Sequence, residues 1–283
     1  ARTLESFVSE RTQRLAENQE GLVTLNRALI SLGLDPAANL RSLVETCGVI
    51  LKADAVIFSR VVGENELASE AVWESRPGIM PHRDCILCHE VLDSWQGRVV
   101  HLSDIAEHLR GRLPEGLRVP FQSFAGFAVV SRSQVIGVLS VFFGEGTTLD
   151  PFREQVLEMI ATGIGMDAER DRTRASLEAQ ERRFSAVFEG SMDGILVYDA
   201  NGRILDANRR VAELMGYRRA ILCTMSVRDL LPDRWVDGWR ESHRRVVDSG
   251  RDRTVVEFIP KNGLPFVAEV SSSRFQIGEQ TLI

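Results

Sequence analysis

Leu4, Val8, Arg11, Leu15, Asn18, Leu22, Leu25, Leu29 and Leu32 follow one another at alternating steps of four and three residues. That 3.5-residue repeat, sustained over about four heptads, predicts a coiled-coil helix across residues 1–33, and a polar Asn18 in the seam suits a two-stranded register. A single amphipathic helix lying on its own domain has the same spacing; a parallel dimer seam is the preferred reading. The pattern returns later as Phe152, Val156, Met159, Gly163, Met166, Arg170, Thr173, Leu177, Gln180 and Phe184. Asp150-Pro151 supplies a helix start, so a connecting helix is predicted over 150–189. Its first half is apolar enough to pack on a domain, whereas residues 167–182 are mostly charged, which marks a domain boundary bridged by a solvated helix.

Between the two repeats, a helix is expected over Pro36–Lys52, with Leu40, Leu43, Val44 and Cys47 on one side. Strands are expected at Asp54–Val61, Leu67–Trp73, Val99–Leu102, Ser123–Val130 and Val135–Phe143, with a Ser-Arg-Ser-Gln turn between the last two. After the connecting helix, Ile195–Tyr198 and Arg203–Asp206 flank Asp199-Ala-Asn-Gly202, a turn whose Asn-Gly pair accepts positive φ. Asn208 then opens a helix that stops at Gly216. A longer helix is expected over Arg234–Asp248, and strands at Thr254–Pro260, Phe266–Ser272 and from Phe275 to Ile283. The pattern is α+β: two antiparallel-sheet domains, over 20–168 and 182–283, joined by the helix of 150–189 and preceded by the coiled-coil helix of 1–33.

A length of 283 residues suits two domains, and 44% hydrophobic with 26% charged residues is ordinary for a globular protein. The net charge of −6 argues against a nucleic-acid surface. No apolar run approaches the ~18 residues of a membrane span. The opening Ala-Arg-Thr-Leu-Glu does not read as a signal peptide and suggests an excision from a longer chain. Four cysteines (Cys47, Cys85, Cys88, Cys223) do not make a disulfide framework, so a reducing cytoplasm is expected.

Ser191-Met-Asp-Gly-Ile, Asp199-Ala-Asn-Gly-Arg-Ile, Asn208 and Gly216-Tyr217, with Asp229-Leu-Leu-Pro232 beyond, resemble the PAS domain. Val100-His-Leu-Ser-Asp-Ile105, Ser123-Phe-Ala-Gly-Phe-Ala-Val-Val130 and Val135-Ile-Gly-Val-Leu-Ser-Val-Phe142 resemble the GAF domain. Both are sensory folds. The resemblance implies a signal-transduction input region that relays the state of a small-molecule ligand or partner along helical linkers within a homodimer. No phosphate-binding loop, kinase His box with a Gly-rich ATP lid, or GGDEF-type motif is seen, so no turnover is expected of these residues. The PAS pattern stops without its customary Asp-Ile-Thr, which suggests an output domain downstream, of the histidine kinase or cyclic-dinucleotide type.

The sharpest chemical constellation is Pro81-His82-Arg83-Asp84-Cys85-Ile86-Leu87-Cys88-His89. His82, Cys85, Cys88 and His89 are soft or borderline donors suited to zinc, iron or an Fe–S cluster, or to thiol redox sensing. Cys-x-x-Cys-His is also the c-type haem motif, and Cys-His the bilin-attachment dipeptide of phytochrome-type GAF domains. Against these stands an ordinary helix start, with Cys88, Val91 and Leu92 packed inward and His89 solvated. In the PAS region, the resemblance makes Asn208, Trp239 and His243 the pocket candidates for a haem or flavin, although Trp239 occupies the place of the haem histidine. The plainer readings are a helix cap for Asn208, core packing for Trp239 and a surface or packing role for His243. No bound cofactor is the leading expectation; metal, flavin and tetrapyrrole are the alternatives.

Overall fold

The chain opens with α1 (Arg2–Ile30), and Asp35 and Pro36 begin the next helix. In the computed structural model, which describes residues 2–63, 66–78, 86–94, 97–110 and 120–283, the Asp35 carboxylate accepts from the Ala37 and Ala38 amides. Pro36 takes the first helical position, and α2 (Pro36–Leu51) ends where Lys52 turns left-handed, φ 52°. There follow β1 (Ala55–Val61), β2 (Leu67–Glu74), α3 (Ile86–Asp93), β3 (Val100–Leu102), α4 (Ile105–His108), β4 (Ser123–Ser131) and β5 (Gln134–Phe143). The strands form one antiparallel sheet in the order β2-β1-β5-β4-β3.

That sheet is covered on both faces. Val56 and Phe58 of β1, with Phe127, Val129, Leu139 and Val141, face a core shared with α1, α2 and the start of α5 (Pro151–Gly190). The alternate residues Ala55, Ile57, Phe124, Ala128, Val138 and Phe142 face Leu87, Cys88 and Val91 of α3 and Ile105 of α4. Burial on both sides explains why β4 and β5 read as near-continuous apolar runs and not as an alternation. α3 lies flush on β4, because Gly126 has no side chain where Val91 now packs.

Residues 1–175 and 176–283 form two units, and α5 continues from the first into the second as one helix. In the second unit, β6 (Leu196–Tyr198) and β7 (Ile204–Ala207) pair across the Asn201-Gly202 turn. Gly202 takes φ 83° and the Asp199 carboxylate accepts from the Asn201 and Arg203 amides, the local chemistry of a tight turn. α6 (Arg209–Met215) ends at left-handed Gly216, and α7 (Arg219–Leu222) and two 3₁₀ turns lead to α8 (Val236–Ser249). β8 (Arg251–Phe258) pairs with β9 (Phe266–Ser273) in full register. The last predicted strand is two short strands, β10 (Phe275–Ile277) and β11 (Gln280–Leu282), because left-handed Gly278 turns the chain back. Reciprocal bonds of 2.9 Å between the amide and carbonyl of Ile283 and those of Tyr198 join β11 to β6. The core gathers Tyr198, Ile204, Ala207, Val211, Met215, Leu222, Leu230 and Val246.

Candidate functional site

The two helical repeats have different fates along their length. On α1, Val8, Leu15 and Leu22 are exposed, but Leu25 is fully buried, and Leu29 and, just beyond the helix, Leu32 pack against the core of the first unit. The amphipathic-helix reading therefore holds at the C-terminal end of α1, whereas Val8, Leu15 and Leu22 are uncovered in the single chain. On α5, Val156 is buried and Met159 is 37% exposed, while Met166, Leu177, Phe184 and Val187 are 68%, 65%, 64% and 69% exposed. Phe184 stacks on Phe188, centroids 5.5 Å apart, yet Phe188 is buried in the second unit and Val187 is not. Val187 thus extends the four-three line by one step beyond the sequence reading. A groove of about 740 Å³ lies between α5 and the end of α1 with the residues just after it, and its apolar lining, Leu29, Leu32, Met159, Gly163 and Met166, falls on the two four-three repeats.

Of the four soft donors, His82 and Cys85 lie outside the described residues. Cys88 is buried with its Sγ 3.3 Å from Ser140 Oγ and 3.9 Å from Ser59 Oγ, and His89, next along α3, is half-buried. Successive helical residues point about 100° apart, so Cys88 turns toward the sheet and His89 away from it. Among the described residues no three His, Cys, Asp or Glu side chains group as a metal site. The sequence reading missed the two serines, although period-two alternation puts Ser59 beyond Ile57, and Ser140 beyond Val138, on the α3 face. Cys47 is buried in the other core and its thiol pKa is pushed up by desolvation.

Asn208 is fully buried and every hydrogen-bonding position of its amide is used. Its Oδ1 accepts from the amides of Ile195 (2.9 Å) and Val211 (3.1 Å), and its Nδ2 donates to the carbonyls of Phe188 (2.9 Å) and Asp193 (3.0 Å). The side chain caps α6 and ties the end of α5 to the first strand of the second unit. Trp239 and His243 stand one turn apart on α8, with ring centroids 5.3 Å apart, and Tyr198 lies 5.9 Å from His243. The indole covers Gly202, where a Cβ would come within 2.7 Å of it. His243 Nε2 donates to the Ala200 carbonyl at 2.9 Å, and its buried Nδ1 has no hydrogen-bond partner. The pair thus clamps the β6–β7 turn onto α8.

Two carboxylates of the second unit are held below their ordinary pKa. Asp252 is lowered by the Arg245 guanidinium, which meets both its oxygens at 3.1 and 3.0 Å, and by the Ser242 hydroxyl at 2.6 Å. Glu269 is lowered by Arg253 across the β8–β9 ladder, at 2.6 and 2.9 Å. Tyr198 is raised by burial.

Residues 35–166 match the GAF domain family model, and residues 182–251 match a PAS domain model. The "Methyl sulfide methyltransferase-associated sensor" of Methanosarcina acetivorans is 25% identical over 157 residues, covering 54% of this chain and 15% of the relative. "Sensor histidine kinase TmoS" of Ectopseudomonas mendocina is 33% identical over 100 residues, covering 35% of this chain and 10% of the relative. The chain therefore spans a small part of the length of these curated relatives. Among solved structures, the GAF domain of an Acinetobacter phosphoenolpyruvate-protein phosphotransferase is similar at 19% identity and a TM-score of 0.45, covering 54% of this chain and 94% of that one. Among the described residues no helix is long and apolar enough to cross a membrane.

Proposed function

Because the chain carries a GAF domain over residues 35–166 and a PAS domain over 182–251, as sensor proteins do, we propose that it is the sensory input and dimerisation region of a cytoplasmic signal-transduction protein. A ligand or partner biases the state of a sensory domain, and the α5 helices of two copies carry that bias toward a C-terminal output domain of the histidine kinase type. The observation that carries this reading is the exposed four-three line of Met166, Leu177, Phe184 and Val187 on a helix that runs from one domain into the next. Isolated helices expose apolar side chains at that spacing at a cost, and a second helix of the same pattern removes them from water. The groove between α1 and α5, lined at repeat positions, supports the same interface. A relay of this kind needs two arrangements of similar energy, each favoured by a different state of the input domain.

Sedimentation of the chain with Leu177→Asp and Phe184→Asp tests the seam. Both residues are exposed, and Phe184 touches the buried Phe188 through one stacked ring, so a folded monomer confirmed by circular dichroism is expected while the dimer fraction falls at least about tenfold. An unchanged dimer overturns the reading. Leu25→Asp is unsuitable for this purpose, since Leu25 belongs to the core of the first unit.

A further inference from the structure

The β4–β5 hairpin turns on Arg132 and Ser133, both at positive φ (48° and 65°), between the paired residues Ser131 and Gln134. Two consecutive left-handed residues make the turn that suits a two-residue hairpin, and Asn-Gly is the pair that adopts it without strain. Arg-Ser occupies it instead. What arginine supplies is reach. Its Nε donates to Glu169 Oε1 at 2.7 Å and its Nη2 to Thr173 Oγ1 at 3.1 Å, both on α5. Glu169 and Thr173 continue a stripe begun by Gly165, whose missing side chain lets the helix backbone press against the Val130 carbonyl at the end of β4. One end of the sheet thus touches α5 at three successive turns: 165, 169 and 173.

The neighbouring stripe of α5 grips the end of α1, the loop after it and the start of α2. Leu29 packs over Gly163, Asp167 accepts from the buried Asn39 side chain at 3.0 Å, Arg170 donates to the Gly33 carbonyl, and Arg174 Nη1 donates to the Leu34 carbonyl at 3.1 Å. Within the four-three line, Gly163, Arg170 and Thr173 are therefore engaged inside the first unit, and Leu177 is the next position, exposed. Among the described residues, these polar contacts of the first unit form a collar at residues 169–174, directly before the exposed Leu177.

We propose that the Arg132–Ser133 turn is a lever: it passes displacement of the β4–β5 hairpin to α5 through Glu169 and Thr173, one turn before the exposed Leu177. The inference rests on the relay reading above for its purpose, but not for its test. A strained turn held in place by its long-range partners is a suitable element for such a role, because loosening either end relaxes the other. The Arg132–Glu169 pair is solvent-exposed and modest in energy, and the second bond, to Thr173, fixes the direction of the link.

The test is amide hydrogen exchange on the whole chain. Arg132→Asn with Ser133→Gly relaxes the turn and removes the reach. The thermal midpoint of the first domain is expected to stay or rise, while exchange at residues 167–176 increases at least about threefold. These opposite signs separate a lever from a brace. Glu169→Gln with Thr173→Val gives the reciprocal measurement, with faster exchange expected at residues 131–134. Exchange at 167–176 within twofold of the parent, or a uniform rise across the first domain together with a lower midpoint, overturns the proposal. Because Met166 and Leu177 flank the readout, the turn variants are compared in the Leu177→Asp background as well as in the parent; a rise at 167–176 that persists there does not depend on the dimer, so the two ideas fail independently.

Discussion

The two units use an antiparallel sheet differently. β1 is buried from Ala55 to Ser59 without a break, because α1, α2 and α5 lie on one side of its sheet and α3 and α4 on the other. β9 alternates half-buried and exposed residues from end to end, and Val255, Val267 and Glu269 stand on an outer face in water. One sheet is an interior wall and the other is half surface. The difference teaches where each unit draws its stability: the first from apolar enclosure, which tolerates no vacancy, and the second from a one-sided core reinforced by ion pairs at its rim.

That contrast can be broken at three points. Phe58→Ala opens a hole in the doubly covered sheet and is expected to cost the first unit about 3–5 kcal/mol in a denaturant titration; a loss below about 1 kcal/mol would mean that the face is not closed. A smaller and pH-dependent effect belongs to the second unit. Asp252 and Glu269 have depressed pKa values in the fold, so their stabilisation is present above the unfolded carboxylate pKa and fades as pH falls through the folded one. Its thermal midpoint should accordingly drop below about pH 4, and Arg245→Met should flatten that drop. An equal acid response in the variant would show that the Arg245–Asp252 pair contributes nothing. The smallest effect is expected of Val267→Thr on the open face, within about 0.5 kcal/mol of the parent. A larger change would show that something covers β9.

Sequence reading succeeded where the cause of structure is local. The Asp199-Ala-Asn-Gly turn, the Asn208 cap and the Gly216 stop act over three or four residues, and each stands where the pattern placed it. It could not divide the repeat on α1, since a dimer seam and a core-facing stripe share one spacing; Leu22 and Leu25 look alike until the sheet beneath Leu25 is known. The short helices α4 and α7 carry too few residues for a periodic signal. Cys88 read as a core residue ahead of a ligand, but only the sheet's alternation, with Ser59 and Ser140 beneath it, gives its surroundings. The Ser-Arg-Ser-Gln turn was legible as a turn, but the reach of Arg132 to Glu169 and Thr173 spans some forty residues and leaves no local trace.

The flush seating of α3 on Gly126 binds two distant positions into one unit of inheritance. A methyl group at 126 would fall inside the volume of the Val91 side chain, so residue 126 cannot grow unless residue 91 changes with it. Any descendant that gains a side chain at 126 must shift the Phe124 ring and either trim residue 91 or lift the helix, uncovering Cys88 with it.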